Sequence, residues 1–258
     1  MIHSELEFRT VAAGRGAAWI SEGFDLFRRQ PGVWIGVIVI WFIASLMVSV
    51  VPFGQVLATL FTPVLLGGLM IGCAQLKRGE ELEVAHLFAG FQKPFAPLVL
   101  IGLILLVAQI VLFAIVIGLA MVAGLGAIFS GVFAGMGDNP VEMTAGAAGL
   151  GASVLLLVLI GLIALLIYLI ILLPLTFAPG LVALGGADAL PALRASIAAM
   201  LANWAPLLVF SLICLLLMIV AVIPLMLGFL VLMPVMTAAM YAAYRDIFAD
   251  MPEHIPEE

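Results

Sequence analysis

The stretch Gly23-Phe24-Asp25-Leu26-Phe27-Arg28-Arg29-Gln30-Pro31 is short, aromatic and basic, and a long apolar run begins directly behind its proline. Two later stretches repeat this arrangement. They are Val84-Ala85-His86-Leu87-Phe88-Ala89-Gly90-Phe91-Gln92-Lys93-Pro94 and residues 190–206, which end in Asn203-Trp204-Ala205-Pro206. Each has the spacing of an amphipathic helix on a membrane surface that leads into a spanning helix. These three entry units set the predicted architecture.

The composition excludes a soluble globular protein. The chain has 258 residues, of which 66% are hydrophobic and 9% are charged. A soluble domain has about 45–50% apolar and about 25% charged residues, so one core could not hide this much apolar surface. The first 18 residues contain Glu5, Glu7, Arg9 and Arg15 and no continuous apolar run. This is not a secretory signal peptide, and the first spanning helix is predicted to act as an uncleaved insertion signal.

Six apolar runs are predicted to cross the membrane, which takes about 20 residues in a helix, and the last run is the shortest. The predicted spans are 33–51, 56–76, 97–120, 147–184, 204–223 and 229–244. Pro174 and Pro179 lie near the end of the long fourth run and predict a kink there rather than another crossing. Residues 121–146 fit a prolonged third helix followed by an outside loop, and their conformation is left open. A single transmembrane domain is predicted over 19–246, between a loosely ordered tail at 1–18 and a second tail at 247–258.

The charges predict the orientation. With six spans, all nine basic residues fall on one side: Arg9, Arg15, Arg28, Arg29, Lys77, Arg78, Lys93, Arg194 and Arg245. The opposite side carries Asp138 and Glu142 and no base. Because basic loops stay in the cytoplasm, both termini are predicted to be cytoplasmic, in a bacterial inner membrane.

The three surface helices supply the predicted membrane-interface residues. In the first, Ile20, Phe24 and Phe27 share a face, with Trp19 and Leu26 at its edge. The second has a stripe of Val84, Leu87, Phe88 and Phe91, and the third has Leu190, Leu193, Ile197 and Leu201. The predicted interface set is Trp19, Phe24, Phe27, Arg28, Arg29, Phe88, Phe91, Lys93, Arg194 and Trp204. The predicted partner of these residues is the lipid bilayer, with its anionic headgroups meeting the arginines.

Small and polar residues inside the spans predict helix packing. Gly67, Gly68 and Gly72 form a small-residue face suited to close helix contact. Gln109 lies mid-span, where it either hydrogen-bonds between helices or lines a cavity. The second prolines of the first and last hairpins, Pro63 and Pro234, stand in similar places. They indicate either a parallel internal repeat or the ordinary clustering of prolines at hairpins. A second copy of the chain or another membrane protein is a further predicted partner.

One segment also resembles a known family. Leu190-Pro191-Ala192-Leu193-Arg194-Ala195-Ser196, then Asn203-Trp204 and an apolar run, is similar to a signature of the membrane-domain superfamily of glycerophosphoryl diester phosphodiesterases. The stretches 24–31 and 86–91 resemble a proteobacterial inner-membrane family of six predicted spans, which has no assigned activity. The resemblance implies a six-span membrane bundle. It implies no phosphodiesterase reaction, because the soluble catalytic domain of that superfamily has no counterpart here.

The sequence does not favour catalysis. No ionisable residue lies in the middle of a predicted span, which argues against a proton relay or cation path. His3, His86 and His254 are too scattered for a metal site, and His86 is predicted to be a solvated surface residue. Cys73 and Cys214 are predicted to be buried apolar residues. We therefore expect no enzymatic activity, cofactor, metal or nucleic-acid partner. A structural or assembly role is predicted, and transport of an uncharged or lipidic substrate is the alternative.

Overall fold

The chain folds into helices joined by short connections. The computed structural model describes residues 6–249 except 93, 137 and 138, and in that part it contains nine α-helices and no strand. The α-helices are α1 Arg15–Arg29, α2 Pro31–Val50, α3 Gly54–Arg78, α4 Phe95–Met136, α5 Pro140–Leu172, α6 Ala178–Ala183, α7 Ala189–Ala202, α8 Trp204–Val222 and α9 Phe229–Ile247. Two 3₁₀ helices are Val84–Phe91 and Leu173–Thr176. The prediction of an all-α membrane bundle is confirmed.

Five of these helices are long and apolar enough to cross a membrane: α2, α3, α4, α5 and α8. The sixth predicted span corresponds to α9, which has 19 residues but contains Arg245 and Asp246 in its last turn and is therefore less apolar. Pro63 and Pro234 lie inside α3 and α9, and both are buried. Helix α4 continues past the third predicted span to Met136, which agrees with a prolonged third helix. Asp138 and the side chain of Glu142 lie outside the described residues.

The chain forms two compact units, Met1–Ile104 with Leu173–Glu258, and Leu105–Leu172. The second unit is an antiparallel pair of helical arms, 105–136 and 140–172. A Cβ added at Gly126 would lie 3.6 Å from Ser153 Oγ, and one at Gly149 would lie 2.5 Å from Ser130 Oγ. Small residues therefore bring the two arms together, while their larger apolar side chains point outward.

Helix α1 packs through its small residues, in the first unit. Its buried residues are Gly16, Trp19, Gly23, Leu26 and Phe27, whereas Phe24 is 42% exposed. A Cβ at Gly16 would overlap the carbonyl oxygen of Pro206 in α8, and one at Gly23 would lie 2.5 Å from that of Val235 in α9. The two glycines mark the side of α1 where neighbouring backbones approach, whereas Ile20 and Phe24 of the predicted apolar face line an apolar groove.

The 3₁₀ helix Val84–Phe91 packs against α3. A Cβ at Gly68 would lie 2.5 Å from the carbonyl oxygen of His86, so the two backbones are in direct contact. His86 is only 9% exposed. Its Nδ1 accepts the backbone N–H of Glu83 at 2.9 Å and so caps the helix, while the Glu83 side chain accepts a backbone N–H in return. The prediction of a solvated His86 was wrong, because this capping role turns its ring into the packed face. His3 and His254 lie outside the described residues.

The chain breaks at the predicted prolines after α5. The helix ends at Leu172, a 3₁₀ turn covers Leu173–Thr176, and the six-residue α6 that follows is fully buried. The break frees two backbone groups, and Ser196 of α7 bonds both. Its hydroxyl accepts the N–H of Phe177 at 3.2 Å and donates to the carbonyl of Pro174 at 3.0 Å. The predicted kink is thus confirmed, and a fully buried serine stabilises it.

The N-terminal segment 6–14 is not the loose tail that the sequence predicted. The N–H of Arg9 donates to the carbonyl of Ile247 at 2.9 Å, and the N–H of Val11 donates to Asn203 Oδ1 at 2.9 Å. Asn203, 1% exposed, also donates through Nδ2 to the carbonyls of Arg9 and Ala199. One buried amide therefore holds this segment against the junction of α7 and α8.

Polar and sulfur side chains within the apolar helices behave as expected. The hydroxyls of Ser49, Thr59, Thr62 and Thr237 donate to carbonyls three or four residues earlier in their own helices. Cys73 and Cys214 are buried free thiols, as predicted. These residues need no partner outside their own helix or core.

Candidate functional sites

The predicted interface residues of α1 divide between the core and the surface. Trp19 is fully buried and Phe27 is 6% exposed, so both pack inside the first unit. Phe24 and Arg28 remain exposed, with the guanidinium of Arg28 lying 5.2 Å from the centre of the Phe24 ring. Arg28 also pairs with Asp25. Arg29 extends to the end of α3, where its Nη1 donates to the carbonyl of Leu76 at 2.8 Å.

Around the 3₁₀ helix Val84–Phe91 the structure adds two aromatic residues to the predicted pair. Phe91 lies at the centre, with ring centres 5.5 Å from Phe61, 6.3 Å from Phe88 and 5.8 Å from Phe95. Phe88, Phe91 and Phe95 are 38–48% exposed. Phe61 and Phe95 were missed because they belong to α3 and α4, away from the predicted stripe. Lys93 lies outside the described residues.

On α7 and α8, Arg194 is exposed and Trp204 is 65% exposed. The residues of α7 that pack are Ala189, Ala192, Leu193, Ser196 and Ala199. Of the predicted apolar stripe only Leu193 is buried, while Leu190, Ile197 and Leu201 are exposed. Helix α7 therefore packs through its small residues and leaves the other large apolar side chains of the stripe outside.

The predicted packing residues lie at two different contacts. Gly68 and Gly72 face the segment 82–90, and Gly67 faces Leu98 at the start of α4 and Ala183 of α6. Gln109 is half-buried in the second unit. Within the described residues its amide has no hydrogen-bonding partner.

The most connected polar cluster is centred on Asp246, at the end of α9; we call it the Asp246 network. One carboxylate oxygen accepts Arg9 Nη2 at 2.8 Å, and the other accepts Arg15 Nε at 2.5 Å and the indole N–H of Trp19 at 3.0 Å. Arg15 also bonds Glu22 at 2.8 Å. The Asp246 side chain is only 11% exposed.

The electrostatics of the Asp246 network favour the ionised state. Burial raises the pKa of Asp246, but the hydrogen bonds from Arg15, Trp19 and Arg9 outweigh it, so the pKa lies below its ordinary value. The same contact with Asp246 raises the pKa of Arg15. A polar cavity of 460 Å³ adjoins this network, and Lys77 lines it as well. Because Arg9, Arg15 and Trp19 all donate to the Asp246 carboxylate, the network joins the N-terminal segment and α1 to the end of α9.

An apolar groove of 640 Å³ runs between α1, α8 and α9. Ile20 and Phe24 of α1, Leu217 of α8 and Leu232 of α9 are among its lining residues. Among the described residues of the lining, Ser21 alone has a polar side chain, and its hydroxyl donates to the carbonyl of Ala18. The lining thus suits an aliphatic chain or an apolar helix face.

A second cavity, of 930 Å³, lies between the N-terminal segment, the start of α4 and α7; we call it the mixed cavity. Phe8 and Leu100 contribute apolar surface, and Asp188 and Arg194 contribute opposite charges. Arg194 was predicted as a membrane-interface residue. In the folded chain it lines the same cavity as Asp188 and as residues from two distant segments.

Comparison with known proteins gives one distant relative, a probable inner membrane protein of Burkholderia thailandensis. It is 31% identical over 90 residues, which are 34% of this chain and 33% of that protein. The chain therefore matches only about a third of the relative's length. No family model matches the chain, and no solved structure matches it. The similarity to the phosphodiesterase membrane domain thus stays a prediction. The relative and the five span-length helices together identify a multi-pass membrane protein.

Proposed function

We propose that this chain is a non-enzymatic structural or assembly protein of the bacterial inner membrane, with six crossings and both termini in the cytoplasm. The observation that carries the assembly role is the second unit, whose two apolar arms are longer than a bilayer is thick. Within their own unit, almost all large apolar side chains of the two arms are exposed.

The length argument uses the second unit alone. The arms 105–136 and 140–172 contain 32 and 33 residues, so each extends about 48–50 Å at 1.5 Å per residue. The hydrocarbon core is about 30 Å thick, and even a tilt of about 40° accommodates only about 39 Å of helix. Roughly 10 Å of each arm therefore has to lie outside the hydrocarbon.

Because the arms are exposed, we infer that another protein covers the parts of them that extend beyond the hydrocarbon. Among the described residues of α5 only Gly146, which has no side chain to contribute, is buried. Val141 and Met136, near the connection between the arms, are 75% and 76% exposed. Large contiguous apolar surfaces outside a membrane mark interaction sites. Association with a second copy or another membrane protein would remove this surface from water.

A charge placed on the uncovered surface tests the proposal. In nanodiscs, the parent chain is expected to exceed the mass of one copy, or to co-purify with a stoichiometric membrane partner. Val141→Glu should reduce that associated fraction. Leu225→Glu, at a 90% exposed position between α8 and α9, is the matched control and should leave it unchanged. A parent that is monomeric and without a partner, or a Val141→Glu variant that associates normally, would refute the assembly role.

The orientation can be tested separately. Cysteine replaces Arg194 in a chain whose two native thiols are buried, and intact cells are treated with a reagent that does not cross the membrane. The proposed topology expects no labelling at this position. Labelling from outside would contradict it.

Transport of an uncharged or lipidic substrate is the alternative, and the apolar groove between α1, α8 and α9 favours it. A groove of 640 Å³ falls within the ~300–1,000 Å³ range of small-molecule sites. The test is flux of labelled lipid or neutral solute in vesicles reconstituted with the chain. Flux no faster than in protein-free vesicles would remove this alternative.

A further inference from the structure

We propose that the mixed cavity binds a zwitterionic phospholipid that carries a primary ammonium group, of the phosphatidylethanolamine type. This inference is independent of the assembly role, because it concerns the first unit alone. It begins from the way in which three distant parts of the chain form one cavity of 930 Å³.

The cavity has walls of different polarity. Leu6 and Phe8 from the N-terminal segment, with Pro97 and Leu100 from the first turns of α4, form an apolar wall. The opposite wall is α7, and in that wall Asp188 and Arg194 are the ionisable side chains. Hydrogen bonds to Asn203 and Ile247 fix the N-terminal segment, so Phe8 belongs to a wall held in place.

Both charges of the polar wall are available to a ligand. Asp188 stands at the beginning of α7, but its side chain makes no capping hydrogen bond. Arg194 is exposed, and in the described part of the chain it has no ion pair. The two residues are six positions apart, about 9 Å along the helix. A ligand with separated positive and negative groups can therefore meet both.

These features select among membrane lipids. A guanidinium binds phosphate through several N–H groups, so Arg194 suits the lipid phosphate. An ammonium group can donate hydrogen bonds to the Asp188 carboxylate, whereas a quaternary choline nitrogen has no N–H to donate. A glycerol headgroup has the same phosphate for Arg194, but it offers Asp188 only neutral hydroxyls in place of a cation. The apolar wall then covers the upper part of an acyl chain.

The position in the fold agrees with a headgroup site. The first turns of α4, where the apolar run of that helix begins, line the cavity. The exposed side chains of Leu100 and Leu190 stand beside it, 45% and 50% exposed. A lipid with its phosphate at Arg194 would have its acyl chain along these residues.

Native mass spectrometry of the full chain in mild detergent tests this site. Dioleoyl phosphatidylethanolamine, phosphatidylglycerol and phosphatidylcholine are added separately, so that only the headgroup differs. The parent should bind the ethanolamine lipid at least about fivefold more tightly than the other two. Glycerophosphoethanolamine, which lacks acyl chains, should compete only weakly, because it leaves the apolar wall uncovered.

Three variants assign the effect to the cavity. Arg194→Gln should weaken binding of the ethanolamine lipid about tenfold or more, because it removes the charged donor. Asp188→Asn should abolish the preference over phosphatidylglycerol without weakening binding of phosphatidylglycerol itself. Lys77→Gln, at an exposed base of α3 outside the cavity, should change neither the binding of the ethanolamine lipid nor the preference for it.

Several outcomes would overturn the site. These are equal binding of the three lipids by the parent, a preference for phosphatidylglycerol, or unchanged ethanolamine-lipid binding in Arg194→Gln. Competition by glycerophosphoethanolamine as strong as by the intact lipid would show that only the headgroup is recognised, and would overturn the lipid assignment.

Discussion

The Asp246 network should contribute more stability than an exposed ion pair of the same chemistry. Asp246→Ala removes the acceptor of Trp19, whose fully buried indole N–H is then left unpaired, at about 1–3 kcal/mol. Arg9 and Arg15 lose a partner as well. Their side chains are 51% and 38% exposed, so water replaces much of that contact and each loss is about 0.5 kcal/mol. The sum is a loss of roughly 2–4 kcal/mol in the free energy of unfolding.

The chain contains its own control. Asp25 pairs with Arg28 on α1, but both side chains are 62% exposed. Asp25→Ala should therefore cost no more than about 0.5 kcal/mol. Asp246→Asn separates charge from hydrogen bonding, since the amide oxygen still accepts from Trp19. It should cost about 1 kcal/mol, between the two alanine variants.

Reversible unfolding by SDS in mild detergent micelles measures these differences, with tryptophan fluorescence as the signal. Equal losses for Asp246→Ala and Asp25→Ala would refute the reasoning, because burial would then have no effect on the strength of the pair. A loss in Asp246→Asn as large as in Asp246→Ala would show that the indole hydrogen bond contributes nothing.

The pH dependence follows from the lowered pKa of Asp246. A carboxylate whose pKa is lower in the folded state stabilises that state fully above the ordinary pKa of about 3.9. This contribution is lost as the pH falls through the folded-state pKa. The difference in the free energy of unfolding between the parent and Asp246→Asn should thus be constant from about pH 6 to 8. It should become smaller below about pH 4. A difference that already narrows near neutral pH would contradict a lowered pKa.

Three further predictions concern packing and buried hydrogen bonds, each measured by the same unfolding experiment or by proteolysis. Gly68→Ala should destabilise the protein by about 1–3 kcal/mol, because the added Cβ would meet the backbone of the 3₁₀ helix Val84–Phe91. Gly36→Ala is the control and should be neutral or stabilising, because no atom lies within 4 Å of its added Cβ. Equal effects of the two substitutions would refute the close contact at Gly68. Ser196→Ala should lower the free energy of unfolding by about 1–3 kcal/mol, because it leaves two backbone groups unpaired. Ser49→Ala removes a hydrogen bond within one helix and should lower it by well under 1 kcal/mol. Asn203→Leu should increase proteolysis of the N-terminal segment 6–14. Unchanged protection would mean that the backbone hydrogen bond from Arg9 to Ile247 is enough to hold this segment in place.

The helices and their breaks could be predicted from the sequence because they depend on local composition. Apolar runs bounded by Pro31, Pro52 and Pro206 correspond to helices whose ends lie within about three residues of prediction. The kink near Pro174 followed from the missing backbone donor of proline. The extension of α4 to Met136 was left open, since glycine and alanine alone do not separate a long helix from a loop.

The contacts between distant segments could not be predicted. Arg9 and Asp246 are 237 residues apart, and nothing in their local sequence indicates that they meet. The packed face of α1 was missed because a glycine that admits a neighbouring backbone leaves no apolar signal. Residues 190–206 did draw attention as a signature, and two of the buried polar residues that hold the fold, Ser196 and Asn203, lie within them.

The packing of α1 also has a consequence for the order of folding. Its buried face contacts α8 and α9, which are synthesised long after it, and residue 9 bonds residue 247. Helix α1 bonds α3 through Arg29, but it lacks most of its packing partners until α8 and α9 have been made. Until then, the apolar side chains of Trp19 and Leu26 remain unpacked. Closure of the first unit therefore has to follow the synthesis of α9, and a chain that stops before Gly228 should leave this face of α1 unpacked.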